Sequence, residues 1–172
     1  RDDIFFLSDD MGAPVLDKMR VDCADRFINV GIAEQNMINV ATGLALEGYT
    51  VFTYGIAPFF MRAYEPLRVN LAITGQTRRL NVNMIAVGVG VSYDASGPPH
   101  HCLEDLTVMR ALPGVDLYSI ADPAAAASVA DYCLENPRSA YLRLDGKPQE
   151  WIYADDHAFN WRQGFEILRE GK

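Results

Sequence analysis

Glu34 stands just past a run, "FINVG", that ends in glycine, and it opens the stretch "EQNMINVATGLALEG" among mostly apolar neighbours. Two readings follow. An acid in the first turn of a helix is favoured by the macrodipole. Alternatively, a carboxyl at a strand end faces a ligand, and in an apolar pocket such a group can donate a proton or a hydrogen bond. His100 and His101 follow "SGPP". An imidazole there serves as acid, base or donor, or is an incidental loop residue. A metal site is disfavoured. Adjacent histidines point apart in an extended chain, and Cys102, Glu104 and Asp105 do not complete a recognised zinc spacing. Phe52, Tyr54, Phe59, Phe60 and Tyr64 form an aromatic set that suits core packing, while Phe59 or Phe60, after Pro58, could stack on a flat ring. Arg62 would bring a cation to the same place. "GVGVSYDASG" fails the G-x-G-x-x-G template and lies late in the chain, and neither a P-loop nor a nucleophile elbow occurs.

The elements that must position these groups alternate. Strand-like runs are "DIFFLS" (3–8), "FINVG" (27–31), "TVFTYG" (50–55), "LNVNMIAVGVG" (80–90), "VDLYSIA" (115–121) and "SAYLRL" (139–144). Between them, Met37, Val40, Ala41, Leu44 and Ala45 recur at helical spacing, with Gly48 as a stop signal. "PFFMRAYEPLRVNLAITG" starts with Pro58 in a favoured first-turn position and is expected to kink or break at Pro66. Asp122 and Pro123 read as the cap and first residue of another helix. "PVLDKMRVDCADR" reads as a weak helix or loop, "SYDASGPPHH" as a loop, and "CLEDLTVMRALPG" as a helix. Such alternation predicts an α/β layered domain with a mostly parallel sheet, whose ligands sit beyond the carboxyl ends of the strands. From Trp151 the chain turns polar and aromatic without helical periodicity, and suits a linker toward another domain.

The chain of 172 residues fits one domain with a sizeable core. Its net charge of -8 and lack of a Lys/Arg cluster argue against binding a phosphate backbone. No apolar run approaches the roughly 20 residues of a membrane span. The opening "RDDIFFLSDD" lacks a signal peptide's basic segment and cleavage site. Cys23, Cys102 and Cys133, odd in number and widely spaced, read as reduced thiols, so a cytoplasmic setting is expected. With no Met at its start and an end at "FEILREGK", the sequence reads as a fragment or one piece of a larger assembly.

"RFINVGIAEQNM", "AYEPLRVNLAI" and "GPPHHCLEDLTVMRALPGV" occur in an order that resembles the transketolase family, and within it the central pyrimidine-binding domain of split-subunit or C-terminal-section proteins. Deoxyxylulose-phosphate synthases share the "AEQ" and "RAY" patterns. The resemblance runs from about Ile4 to Leu144, and the tail "FNWRQGFEILREGK" resembles the family's linker into a third domain. It implies a three-layer sandwich in residues 1–150, with 151–172 leading toward a missing C-terminal domain. It also implies thiamine diphosphate as cofactor and a two-carbon ketol transfer between sugars. Glu34 would meet N1′ of the aminopyrimidine and favour the tautomer that activates the thiazolium. Ile32 would prop the bent cofactor, Phe59 would stack on the pyrimidine, and Ile56 and Arg62 would line the same pocket. His100 would hydrogen-bond the substrate. Ser96 takes the substrate-side position where the family usually has Asp, with Asp94 as a partial stand-in. Gly88 replaces a histidine, and Arg143 or Lys147 is left to meet a sugar phosphate. No "GDG" motif is present, so Mg²⁺ and the diphosphate would be held by a domain outside this sequence, in a homodimer or heteromer. Rival readings are a deoxyxylulose-phosphate-synthase-like or 2-oxo-acid-dehydrogenase-like reaction, and an assembly or regulatory subunit without turnover.

Overall fold

Apolar runs covered on both faces make the inner parallel strands, and six runs in all build the sheet, the two at its edges only partly buried. A computed structural model describes residues 1–171. In chain order the elements are β1 (Ile4–Ser8), α1 (Asp17–Asp22), β2 (Phe27–Asn29), α2 (Glu34–Leu46), β3 (Thr50–Ile56), α3 (Ala57–Phe60), α4 (Tyr64–Pro66), β4 (Asn81–Val87), α5 (Asp105–Arg110), β5 (Val115–Ser119), α6 (Pro123–Glu135) and β6 (Ser139–Leu144). The strand order is β2-β1-β3-β4-β6-β5, and every neighbouring pair is parallel.

Alternation along the strands sends side chains to two separate cores. On one face Val51, Val82, Met84 and Tyr141 meet Met37, Ile38 and Ala41 of α2, with Phe60, Leu67 and Leu71. On the other, Ala140 and Leu142 meet Val129 and Cys133 of α6. These make the three layers.

Local signals set several boundaries. Asp122 caps α6 by accepting from the Ala125 N–H at 2.8 Å, with Pro123 next in line. Its second oxygen accepts from the N–H groups of Ile152 and Tyr153, both at 2.9 Å, which pins the start of the tail. Past that point no helix or strand forms through residue 171, and Trp161 packs edge-on to Tyr118.

Several boundaries differ from expectation: β2 stops at Asn29 and β5 at Ser119, each two residues short, and α5 covers only Asp105–Arg110. The segment after β3 breaks its α-helical winding at Pro66, as expected, without ending there. It changes winding, from α4 to a π-wound stretch over Leu67–Ile73. Pro66 removes one N–H from the ladder, yet Leu67, Leu71 and Ala72 are held in the core, so the backbone shifts its pitch instead. β4 ends at Val87, short of Gly90, because Gly88 and Gly90 adopt φ of 80° and 64° and turn the chain out of the sheet.

The topology selects one end of the molecule. After β1 the chain crosses to β2 on one side, then returns over β1 to β3 on the other. Between β1 and β3 the sheet therefore has a switch point, and a crevice opens beyond their carboxyl ends.

Candidate active site

Glu34 is the first residue of α2, the helix that returns across that switch point. Asn29 shapes the preceding turn: its Oδ1 accepts from the Gly31 N–H at 2.9 Å and its amide donates to Asp10 at 2.7 Å. Gly31 itself sits at φ 75°. The Glu34 carboxyl is buried, 3.4 Å from Arg62 Nη1. The arginine is largely exposed, so the contact joins a sheltered carboxyl to a solvated guanidinium. The Gln35 amide donates to the Arg62 carbonyl at 2.9 Å and ties the start of α2 to the segment following α3. Ile32, two residues before Glu34, is 76% exposed.

A second group gathers around His100. Phe59, on α3, meets its ring at 5.6 Å between centroids, and Tyr93 meets it at 6.4 Å. His100 Nδ1 is buried and has no hydrogen-bond partner among the described residues, as is true of His101 Nε2. Ser96 is exposed in the short turn leading to His100. Ile56 and Tyr54, at the end of β3, line a cleft of ≈ 410 Å³ together with Met11, Pro14, Val15 and Tyr93. Phe59 and Arg62 lie on one helical run, so the Glu34 and His100 groups share a support.

Pairing and burial decide what Arg143, Lys147 and Cys102 can do. Arg143 is not free for a ligand. Its guanidinium makes bonds of 2.7 and 3.2 Å to Asp105, which is fully buried at the start of α5, and a third to Ser119 Oγ. Lys147 remains at the surface, paired with Asp94 at 2.9 Å. Burial pushes the Cys102 thiol up to about 12, aided by Asp105 and Glu104, so it is no thiolate near neutral pH. Among the described residues, no three His, Cys, Asp or Glu side chains converge as a metal site, and no helix is long and apolar enough to cross a membrane.

Sequence reasoning passed over Asp9, although an acid one residue past a strand, in "FFLSDD", was a usable signal. Asp9 is buried and its Oδ1 has no partner among the described residues. Gly55 makes room for it: a Cβ there would meet Asp9 Oδ2 at 2.6 Å. Burial lifts the Asp9 pKa to about 6 against the pull of its own backbone N–H, and the charges of Glu34 and Asp10 add to the rise. At low pH the carboxyl is protonated in both folded and unfolded chains, and the burial penalty is absent. As pH rises past about 4 the unfolded chain ionises first, so stability falls until about pH 6 and the penalty is then complete. That gap corresponds to roughly 3 kcal/mol. Asp9→Asn is expected to raise unfolding free energy by about 1–3 kcal/mol at pH 7.5 and by only about 0.5 kcal/mol at pH 4. Urea melts at the two pH values test this, and equal stability of variant and parent at pH 7.5 would refute it.

Comparison with known proteins bears on this geometry. The family model described as transketolase, pyrimidine binding domain, matches residues 1–146. One subunit of the apulose-4-phosphate transketolase of Actinobacillus succinogenes is 34% identical over 148 residues, covering 86% of this chain and 46% of the relative. The 6-deoxy-6-sulfo-D-fructose transketolase subunit SqwH from a Clostridium species is 31% identical over 165 residues, covering 95% and 50%. A solved split-gene transketolase, described as an inactive beta4 tetramer, superposes with a TM-score of 0.83 at 29% identity, covering all of this chain and 54% of that one. The chain thus spans about half the length of the curated relatives it matches. The all-parallel six-stranded sheet, the helix that starts at Glu34 and the matched span agree: the chain belongs to the transketolase family, as its pyrimidine-binding domain.

Proposed function

We propose that this chain forms the pyrimidine side of a thiamine-diphosphate site in a transketolase-like transferase that moves a two-carbon ketol unit between sugars. The observation that carries the reading is the buried Glu34 carboxyl at the head of α2, at the switch point of a sheet of this family. The neighbouring residues fit an aminopyrimidine. Phe59 offers an aromatic face, Ile56 lines the adjoining cleft, and Ile32 stands exposed beside the acid, ready to be covered. When bound, the cofactor supplies the nucleophilic carbon that adds to a ketose carbonyl. Glu34 would share a proton with N1′ across a hydrogen bond, Phe59 would stack, Ile32 and Ile56 would exclude water, and Arg62 would line the same pocket. His100 donates to, or accepts from, a substrate oxygen, with Ser96 on the substrate side. The names of the relatives carry sugars bearing a phosphate or a sulfonate, which supports a small sugar as substrate.

The sequence has no "GDG" stretch. Mg²⁺ and the diphosphate therefore belong to a second domain, in a homodimer or a heteromer, and residues 1–150 alone are half a site. Exposed Ile32, Val91 and Leu103, on loops that follow β2 and β4, are apolar side chains such a partner would cover. Residues 151–172 serve as the linker toward a further domain, and the setting is cytoplasmic. Gly88 and Ser96 also favour a second reading, an assembly subunit without turnover.

Calorimetric titration tests the proposal. Thiamine diphosphate with Mg²⁺ is expected to bind weakly to this chain alone and tightly once a diphosphate-binding transketolase subunit is added. Tight, Mg²⁺-dependent binding to the chain alone would overturn the half-site.

A further inference from the structure

We infer that Tyr93 is a positioning residue for His100, seated in a slot that Gly88 and Gly146 leave open. The loop after β4 and the loop after β6 run side by side, joined where the Gly88 N–H donates to the Leu144 carbonyl at 2.9 Å. The residues flanking Tyr93 are stapled to the residues flanking Gly146. Ser92 Oγ donates to Asp145 Oδ1 and accepts from the Gly146 N–H at 2.8 Å. Lys147 Nζ donates to Asp94 at 2.9 Å. The Tyr93 ring is thereby pressed between the two glycines. A Cβ on Gly88 would lie 2.0 Å from Tyr93 Cε2, and one on Gly146 2.6 Å from Cζ. Neither position accepts a side chain while the ring is in place.

What the seat controls is the imidazole. Tyr93 meets the His100 ring nearly at right angles, at 84°, and Phe59 meets it at 61°. Among the described residues the imidazole makes no hydrogen bond, and Nδ1 is buried. A ring without a hydrogen bond takes its orientation from packing, here from two aromatic neighbours. Phe59 is fixed by α3, whereas Tyr93 rides on a loop and depends on its slot. Tyr93 also walls the cleft with Tyr54 and Ile56, so one side chain shapes the pocket and aims His100.

This inference rests on the reading of His100 as a substrate-facing group. The test uses the enzyme assembled with its diphosphate-binding partner, and Tyr93→Phe, Tyr93→Leu, Tyr93→Ala, Gly146→Ala, His100→Ala and the His100→Ala/Tyr93→Ala double variant. Tyr93→Phe keeps the ring and is expected to stay within about threefold of the parent. Tyr93→Leu, Tyr93→Ala and Gly146→Ala are expected to lose at least about tenfold in kcat/KM. On the His100→Ala background, Tyr93→Ala is expected to add less than about twofold, because the group it aims is gone. Tyr93→Leu fills the slot without a ring, so the comparison survives if Tyr93→Ala does not fold. Full additivity of the double variant, or a Tyr93→Phe loss equal to that of Tyr93→Ala, would overturn the inference. A second readout does not need turnover. In NMR spectra of the full chain, the His100 ring resonances, assigned with His100→Ala, should move in Tyr93→Leu and Gly146→Ala while those of His157 stay. Unmoved His100 resonances refute the placement. If the assembled parent itself shows no ketol transfer, the proposed function fails and the spectra still decide the placement.

Discussion

Glu34→Ala in the assembled enzyme is expected to lower kcat for ketol transfer by about 10²–10⁴-fold, the range in which a positioned proton-transfer group contributes. Glu34→Gln is expected to fall in the same range. The amide matches the carboxyl in size and still accepts a hydrogen bond, but it cannot pass a proton to a ring nitrogen. The physical case is the environment of the side chain. It is buried, it begins a helix that crosses the switch point, and its recorded partner is a solvent-exposed guanidinium at 3.4 Å. If the acid merely answers the helix dipole, removing it costs about 0.3–1 kcal/mol of stability and leaves turnover alone. Steady-state kinetics and urea melts on both variants separate these outcomes. Turnover within twofold of the parent would remove Glu34 from the chemistry and leave the assembly-subunit reading standing.

Asp105→Ala is expected to destabilise the fold by about 3–5 kcal/mol, because it strands Arg143 as an unpaired charge with little access to water. Asp105 is fully buried and the guanidinium reaches both of its oxygens. The same carboxylate accepts from the Tyr141 hydroxyl at 3.5 Å. Adding Arg143→Met to Asp105→Ala removes the orphaned charge, and most of the lost stability is expected to return. Denaturant unfolding of the single and double variants reads this directly. A single-variant loss under about 1 kcal/mol would mean that solvent reaches the pair. The result also bears on function, since an arginine held this way cannot reach for a sugar phosphate.

The elements nearest the site show how far the sequence reading carried. β6 was legible to the residue and β1 to within one, because a short apolar run bounded by turn signals marks a buried strand. The start of α2 was legible from the glycine before Glu34 and the helical spacing after it. The winding change past Pro66 was not, since a proline says that a bond is lost and not how a buried segment absorbs the loss. β4 was drawn three residues too far at its carboxyl end because Val89 continues its apolar pattern, while the φ of Gly88 ends the strand.

By itself, the order of residues determined the alternating α/β pattern, the Asp122 cap, the acid at a helix start and the motifs of the family, since each depends on neighbours a few positions apart. Only the tertiary structure decided that Asp9 lies buried beside Gly55 and raises the local burden of negative charge, that Arg143 is spent on Asp105, and that Tyr93 fills the space between Gly88 and Gly146. Ser92 and Gly146, for example, are 54 residues apart. Parallel strands joined by helical crossovers bring such distant loops to one edge, and no local periodicity encodes which of them will touch.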